Sequence, residues 1–176
     1  MTLPLLIAIS VMWLPLGAFL LGKGEAKSTG AICLMVGVLV IVGTVVQASV
    51  FKDPFVAGLL FVHGLLYCAT GYALVMGLEN LSSVANVGLT VAIVSFIYMI
   101  VFLTGGPLLE SGQRLVERSS YFAFACAGYT ILTLEVWRFG YGKLSAPVLA
   151  WSLIVWVPFG LLIPAFALLV AGRLPF

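Results

Sequence analysis

Charged residues are scarce in this sequence. Asp, Glu, Lys and Arg together make up 8% of its 176 residues, whereas 63% of the residues are hydrophobic and the mean hydropathy is +1.25. A domain of this size that folds in water needs a largely polar surface, which this composition cannot supply. The scarcity excludes a soluble domain, including a nucleotide-binding fold, and indicates that the solvent of this protein is lipid.

Histidine and cysteine are also rare. The chain has one histidine, His63, and three cysteines, Cys33, Cys68 and Cys126, all of which lie inside apolar stretches. The cysteine spacing matches no zinc, haem or iron–sulfur pattern. We interpret the cysteines as small apolar packing residues, and we expect neither a metal nor another cofactor.

Carboxylates are almost absent from the apolar stretches. Five of the six acidic residues lie in polar breaks, and the sixth, Glu135, lies near the end of its stretch. Membrane enzymes need clusters of ionisable groups, and ion-coupled carriers need a buried carboxylate or an interrupted helix near the midplane. The sequence therefore favours passive handling of a neutral molecule over catalysis or ion coupling.

What the chain does contain is six long apolar stretches separated by short polar breaks. About 20 helical residues cross the roughly 30 Å core of a bilayer, and lipid cannot satisfy the backbone of an open strand. We predict an all-α integral membrane protein, a bundle of six transmembrane helices that forms a single domain over residues 1–176. The predicted spans are approximately residues 2–22, 28–50, 54–78, 86–108, 119–139 and 147–172.

The charges in the breaks do not decide the orientation in the membrane. An even number of spans places both termini on the same side, and the lack of Lys or Arg before position 23 favours an outside N-terminus. The positive-inside rule gives no bias, because the basic residues divide equally between the two sides. One side holds Lys23, Lys27, Arg138 and Lys143, and the other holds Lys52, Arg114, Arg118 and Arg173.

A histidine and several aromatic residues are the candidate functional groups. His63 lies about nine residues into the third span, close to the bilayer centre, and Tyr67 follows one turn later on the same face. At this depth His63 either faces a water-filled path or bonds to a carbonyl of a neighbouring helix. Together the two side chains offer donors and acceptors to a small uncharged solute. Trp13, Tyr129 and Trp156 are candidates for the same wall, with packing as the alternative for each.

Glycines and prolines predict how the helices meet and bend. Small residues such as Gly37, Gly64 and Gly71 permit close contact between helices. Pro158 and Pro164 lie inside the sixth span, where each is expected to bend the helix and free a carbonyl that could line a cavity.

Five short segments occur in the order and near the spacing found in one known family. They are Gly22 to Thr29 with Val36-Gly37, Gly58-Leu59-Leu60-Phe61 running on to Tyr67, Val91-Ala92-Ile93, Gly142-Lys143-Leu144-Ser145, and Ile163-Pro164-Ala165-Phe166. Through these segments the chain resembles, over nearly its whole length, the AmiS/UreI family of urea channels and short-chain amide channels.

The resemblance implies an assembly and a location. It implies a homohexameric ring in which each protomer has its own pore and lipid fills the centre. It also implies a multi-pass protein of the cell inner (plasma) membrane with both termini outside. The solutes would be urea, acetamide or formamide.

The resemblance also implies roles for individual residues. Tyr67 falls on a pore-lining tyrosine, His63 on the position of a pore phenylalanine, and Tyr129 near a pore tryptophan. Trp156 lies close to the position of a glutamate in the urea-channel relatives. In the first helix, Leu6, Ile9 and Trp13 fall on apolar pore positions, and Leu16 falls on a position often held by Asn.

One departure from the family concerns gating. The acid-gated members have a long loop with histidines after the second helix, whereas here Val50 to Pro54 makes that connection almost directly. The short connection offers no histidine as a proton acceptor, so we predict a pore that is not acid-gated.

Our leading interpretation is a passive channel, not an enzyme, with a narrow aromatic pore in each protomer for urea or short-chain amides. Its partners would be the solute, lipids and further copies of the chain, without nucleic acid. The alternatives are a non-transporting structural subunit of a larger membrane complex, a membrane enzyme with His63 as base, and a channel for ammonia or water.

Overall fold

The computed structural model describes residues 2–110 and 112–172, which form a bundle of helices. The helices are α1 Thr2–Leu20, α2 Ala26–Ser49, α3 Pro54–Met76, α4 Ser82–Thr104, α5 Ser120–Gly140, α6 Ala146–Trp156 and α7 Ile163–Ala171. A π-helical segment, Val157–Leu162, joins α6 and α7 into one continuous rod, so the bundle has six rods as predicted. A β-bridge joins Leu108 and Arg114 between α4 and α5.

Five of the six rods are long and apolar enough to cross a membrane by length and composition: α1, α2, α3, α4 and the continuous α6–α7 rod. The α5 helix has 21 residues but is not among the five, and it carries Glu135 and Arg138. The valine-rich α2 is helical, as expected in lipid, where a strand would leave its backbone unpaired. Arg173, which enters the charge balance, lies outside the described residues.

Polar side chains set where several helices begin. Glu25 caps α2 by accepting hydrogen bonds from the backbone N–H groups of Lys27 (3.1 Å) and Ser28 (3.0 Å). Bonds from the Ser28 side chain and then from these two N–H groups lower the pKa of the Glu25 carboxyl below its ordinary 4.5. Asp53 caps α3 by accepting from the Val56 N–H at 3.1 Å.

The α4 helix is displaced from its predicted span of 86–108. It starts at Ser82, directly after a turn in which the Asn80 side chain accepts a hydrogen bond from the Ser82 N–H at 2.9 Å, a contact that the hydropathy pattern does not show. It ends at Thr104 because Gly105 adopts a left-handed conformation, φ +82°, which terminates a helix. The apolar Leu108 therefore lies in the connection to α5 rather than in a span.

Facing glycines bring α2 and α3 into backbone contact, as their small size predicts. A Cβ atom added at Gly71 would lie 2.7 Å from the Gly30 carbonyl oxygen, and one at Gly30 would lie 2.8 Å from the Gly71 oxygen. Gly37 and Gly64 form a second facing pair. A Cβ atom added at Gly37 would lie 3.1 Å from the Gly64 carbonyl oxygen, and one at Gly64 would lie 3.2 Å from the Gly37 oxygen. This contact fixes the position of α3, which carries His63 and Tyr67.

The α1 helix lies against α2, α6, the π-helical segment and α7. Its residues Leu5, Ile9, Met12 and Trp13 are buried in the main hydrophobic core. Because these positions recur every three or four residues, one face of α1 points into the bundle along its length.

Candidate functional site

A larger and a smaller cavity lie along the axis of the bundle. The larger one, about 370 Å³, extends to the end where α1 and α5 finish and α4 and α6 begin, and its lining includes Leu20, Val84 and Gly140. The smaller one, about 50 Å³, lies toward the opposite end, with Leu6 and Phe122 in its lining. The cavities therefore approach each other from the two membrane faces.

Three side chains line both cavities: His63 and Tyr67 from α3, and Tyr129 from α5. We call these three residues the neck. The His63 ring lies 5.4 Å from the Tyr129 ring and 6.2 Å from the Tyr67 ring, measured between centroids. Trp13 packs its edge against Tyr129 at 6.2 Å. His63 exposes only 4% and Tyr67 only 7% of its surface, whereas Tyr129 is half-buried.

Helical periodicity brings the predicted residues of α1 to this axis. Leu6 and Ile9 line the smaller cavity, whereas Trp13 and Leu16 line the larger one. Spacings of three and four residues place all of these side chains on one face of the helix. The same spacing relates His63 to Tyr67 on α3.

Hydrogen bonds hold the rings of the neck in place. The His63 Nδ1 lies 2.9 Å from the Leu59 carbonyl oxygen of its own helix, so the alternative of a bond to a neighbouring helix is not observed. The Tyr129 hydroxyl donates to the Gly160 carbonyl at 2.7 Å. The Tyr67 hydroxyl has Trp13 as its hydrogen-bonding neighbour.

The π-helical segment explains why Tyr129 finds an acceptor there. Pro164 has no N–H group, so one carbonyl of the preceding turn loses its helical donor. Two carbonyls of this turn accept from α5 instead: the Tyr129 hydroxyl donates to that of Gly160, and the Tyr121 hydroxyl donates to that of Phe159. Hydroxyls from α5 thus satisfy both carbonyls, and Gly160 also lines the smaller cavity.

The walls of both cavities carry no formal charge among the described residues. Glu135 lines neither cavity, and its Oε1 accepts a hydrogen bond from Ser152 at 3.1 Å. Thr133 lines the larger cavity, but its hydroxyl donates to the Tyr129 carbonyl at 2.7 Å. Rings and aliphatic groups make up most of both linings, and in such surroundings an ion could not recover its hydration energy.

The structure separates Trp156 from the other predicted pore residues. Its ring packs against Phe124, with centroids 5.1 Å apart, and fills the space that a side chain at Gly128 or Gly160 would need. Trp156 lines neither cavity. The packing alternative given for this residue describes its position here.

Tyr121 is a member of the site that was not predicted from the sequence. It lines the smaller cavity and is 3% exposed. A signal was present, because Tyr121 precedes Tyr129 by two helical turns and thus shares its face. Phe19 and Phe139 line the larger cavity at the end where α1 and α5 finish. In the sequence, only similar helical spacings indicate that they belong to the site.

Known structures show the same arrangement of helices. The chain superposes on the cryo-EM structure of the Helicobacter pylori urea channel in its closed state with a TM-score of 0.83, at 19% identity, covering 99% of this chain and 100% of that one. The chain has the fold of that channel. The crystal structure of the urea channel from the same organism gives a TM-score of 0.79 at 18% identity, with 99% and 100% covered.

At this level of identity the likeness establishes the fold. Comparisons with family models and with the sequences of curated proteins give no match. The six-rod bundle inferred from hydropathy is thus confirmed by both channel structures, over practically the whole chain.

Proposed function

We propose that this protein is a passive membrane channel of the AmiS/UreI type for urea or short-chain amides, with a pore in each protomer. The observation that carries the proposal is the neck, at which two uncharged cavities from opposite ends of the bundle meet between His63, Tyr67 and Tyr129. The shared fold with a urea channel supports it.

The chemistry of the path fits a small planar solute. Flat neutral molecules can slide between aromatic rings and exchange hydrogen bonds with the polar edges of the neck. The proposed pore residues are the three of the neck together with Trp13, Leu6, Ile9 and Leu16, and Trp156 supports the wall from behind. A solute would pass between the two cavities beside the rings of the neck, since all three line both cavities.

We further propose a homohexamer in the inner (plasma) membrane with both termini outside. Large apolar side chains face outward on α2, including Met35, Val38, Val42 and Val45. Lipid or a neighbouring protomer would cover such a surface. Cross-linking of purified protein, followed by mass measurement, tests the number of copies.

Stopped-flow light scattering on proteoliposomes tests the channel. Fast entry of urea or acetamide and slow entry of glycerol, relative to empty vesicles, is the expected result. Traces that match empty vesicles, from protein that elutes as a folded species, would instead support a non-transporting structural subunit.

A matched pair of variants on α1 connects the flux to the proposed path. Ile9→Phe adds volume beside the 50 Å³ cavity and is expected to lower urea flux strongly. Val11→Phe adds the same ring on the outer face, where Val11 is 58% exposed, and is expected to leave flux unchanged. Equal flux in both variants would place the path elsewhere.

A further inference from the structure

The neck contains three hydrogen-bonding side chains, and two of them already have partners. The Tyr129 hydroxyl donates to Gly160, and the Tyr67 hydroxyl oxygen lies beside the Trp13 indole, which can only donate to it. The His63 Nε2, by contrast, is buried and has no hydrogen-bond partner within the described part of the chain. His63 thus presents a buried, unpaired nitrogen at the neck.

The bond at the other ring nitrogen fixes what Nε2 can do. A carbonyl oxygen only accepts hydrogen bonds, so the Nδ1 that lies 2.9 Å from the Leu59 oxygen must carry the hydrogen. In a neutral imidazole the Nε2 then has a lone pair and no hydrogen. Since the described residues lining both cavities hold no formal charge, nothing there would stabilise an imidazolium cation. The neck thus presents an acceptor.

We propose that His63 Nε2 selects solutes that donate an N–H hydrogen bond at the neck, an inference that rests on the channel function proposed above. A buried acceptor left unpaired is costly, and a passing amide N–H removes that cost for the moment of passage. Sites built to bond a polar group discriminate strongly against an analogue that lacks the group. Urea and primary amides would pass in preference to carbonyl solutes of equal size without N–H.

Three isomeric amides separate donor count from size. Propionamide, N-methylacetamide and N,N-dimethylformamide share one formula but carry two, one and no N–H groups. Their permeabilities are measured in proteoliposomes by stopped-flow light scattering after subtraction of the empty-vesicle rate, with urea and acetamide as smaller reference solutes. The variants are His63→Phe, which keeps a ring without the acceptor, and His63→Gln, which restores an acceptor oxygen.

The wild-type channel is expected to rank the isomers by N–H count. In His63→Phe the preference for propionamide over N,N-dimethylformamide should fall by about threefold to tenfold, the effect of one hydrogen bond, and His63→Gln should restore part of it. Where the isomers are too large to pass, the ratio of urea permeability to acetamide permeability is compared between wild type and His63→Phe. This ratio is also expected to fall in the variant.

Tyr98→Phe is the control variant, because it removes a hydroxyl bonded to the Phe55 carbonyl at 2.7 Å, away from the neck. It should leave all ratios unchanged. Wild-type protein that passes urea but ignores N–H count, or an unchanged ratio in His63→Phe, would overturn this inference and leave the channel standing. Absence of urea flux in wild type would overturn the channel proposal itself. If His63→Phe aggregates, the inference is tested by the permeabilities of the three isomeric amides through the wild-type protein and through His63→Gln.

Discussion

Individual glycines determine how closely α2 and α3 pack. Gly37 and Gly43 lie on the same helix, yet an added Cβ would meet different neighbours. At Gly37 it would lie 2.8 Å from the backbone nitrogen of Cys68, whereas at Gly43 its nearest contacts, from 2.7 Å, are side-chain atoms of Leu5. Backbone in a packed helix pair cannot yield as a flexible side chain does.

Alanine substitutions at these two positions should therefore differ. We expect Gly37→Ala to destabilise the protein by about 1–3 kcal/mol, the usual range for overpacking, and Gly43→Ala to cost clearly less. Thermal unfolding of the purified protein in detergent, followed by circular dichroism, measures both. Equal losses would mean that the α2–α3 contact is looser than the glycine geometry indicates.

At the same scale, the sequence was informative about His63 and Tyr67. A histidine in mid-span and a tyrosine one turn later predict one shared face, and both side chains line the cavities. The position of Trp156 could not be predicted, because it depends on how the helix rotates where the π-helical segment begins. The tautomer of His63 was equally hidden, since it follows from a contact with Leu59.

The element that most affects the site is the π-helical segment between α6 and α7. Two prolines in the sixth span predicted a bend, but not that α5 would supply hydroxyl donors to the freed carbonyls. That match depends on the register of two helices distant in sequence, which periodicity within one helix cannot reveal. The shifted ends of α4 also depend on local contacts. They are the hydrogen bond from the Ser82 N–H to the Asn80 side chain and the left-handed conformation of Gly105.

A double-mutant cycle tests the partnership between Tyr129 and Pro164. Tyr129→Phe should leave the Gly160 carbonyl without its donor and cost about 1–3 kcal/mol. In a Pro164→Ala background the same change should cost less, because the alanine would supply an N–H one helical turn after Gly160. The free energy of unfolding in detergent is measured for all four proteins.

The control cycle pairs Pro164→Ala with Tyr98→Phe. The Tyr98 hydroxyl bonds to the Phe55 carbonyl on α3 rather than to a carbonyl of the π-helical segment, so these two changes should be additive. Additivity in both cycles would show that the Tyr129 hydroxyl does not stand in for the missing N–H of Pro164.

For the whole molecule, the connection from α2 to α3 bears on gating. Gln47 and Asp53 close it with a side-chain hydrogen bond of 2.9 Å, and the single histidine of the chain lies in the neck instead. The Glu25 carboxyl has a pKa below 4.5 and therefore stays ionised from pH 7.5 to pH 5. The loops between the helices hold no histidine, the residue type whose ordinary pKa lies within this range.

We accordingly expect urea permeability to vary by less than about twofold between pH 7.5 and pH 5. Stopped-flow traces from one preparation of proteoliposomes, equilibrated at each pH, provide the measurement, and empty vesicles at the same pH provide the baseline. A steep rise on acidification would contradict the prediction and indicate a proton-sensing group outside the loops between the helices.

The unequal sizes of the two cavities determine where diffusion is slow. Resistances to diffusion along a path add in series, and each grows as the passage narrows. In the proposed channel, the 370 Å³ cavity would act as a reservoir that stays in equilibrium with the solution on its side. Nearly the whole concentration drop of the solute would then fall between His63, Tyr67 and Tyr129, so the same three side chains would set both throughput and selectivity.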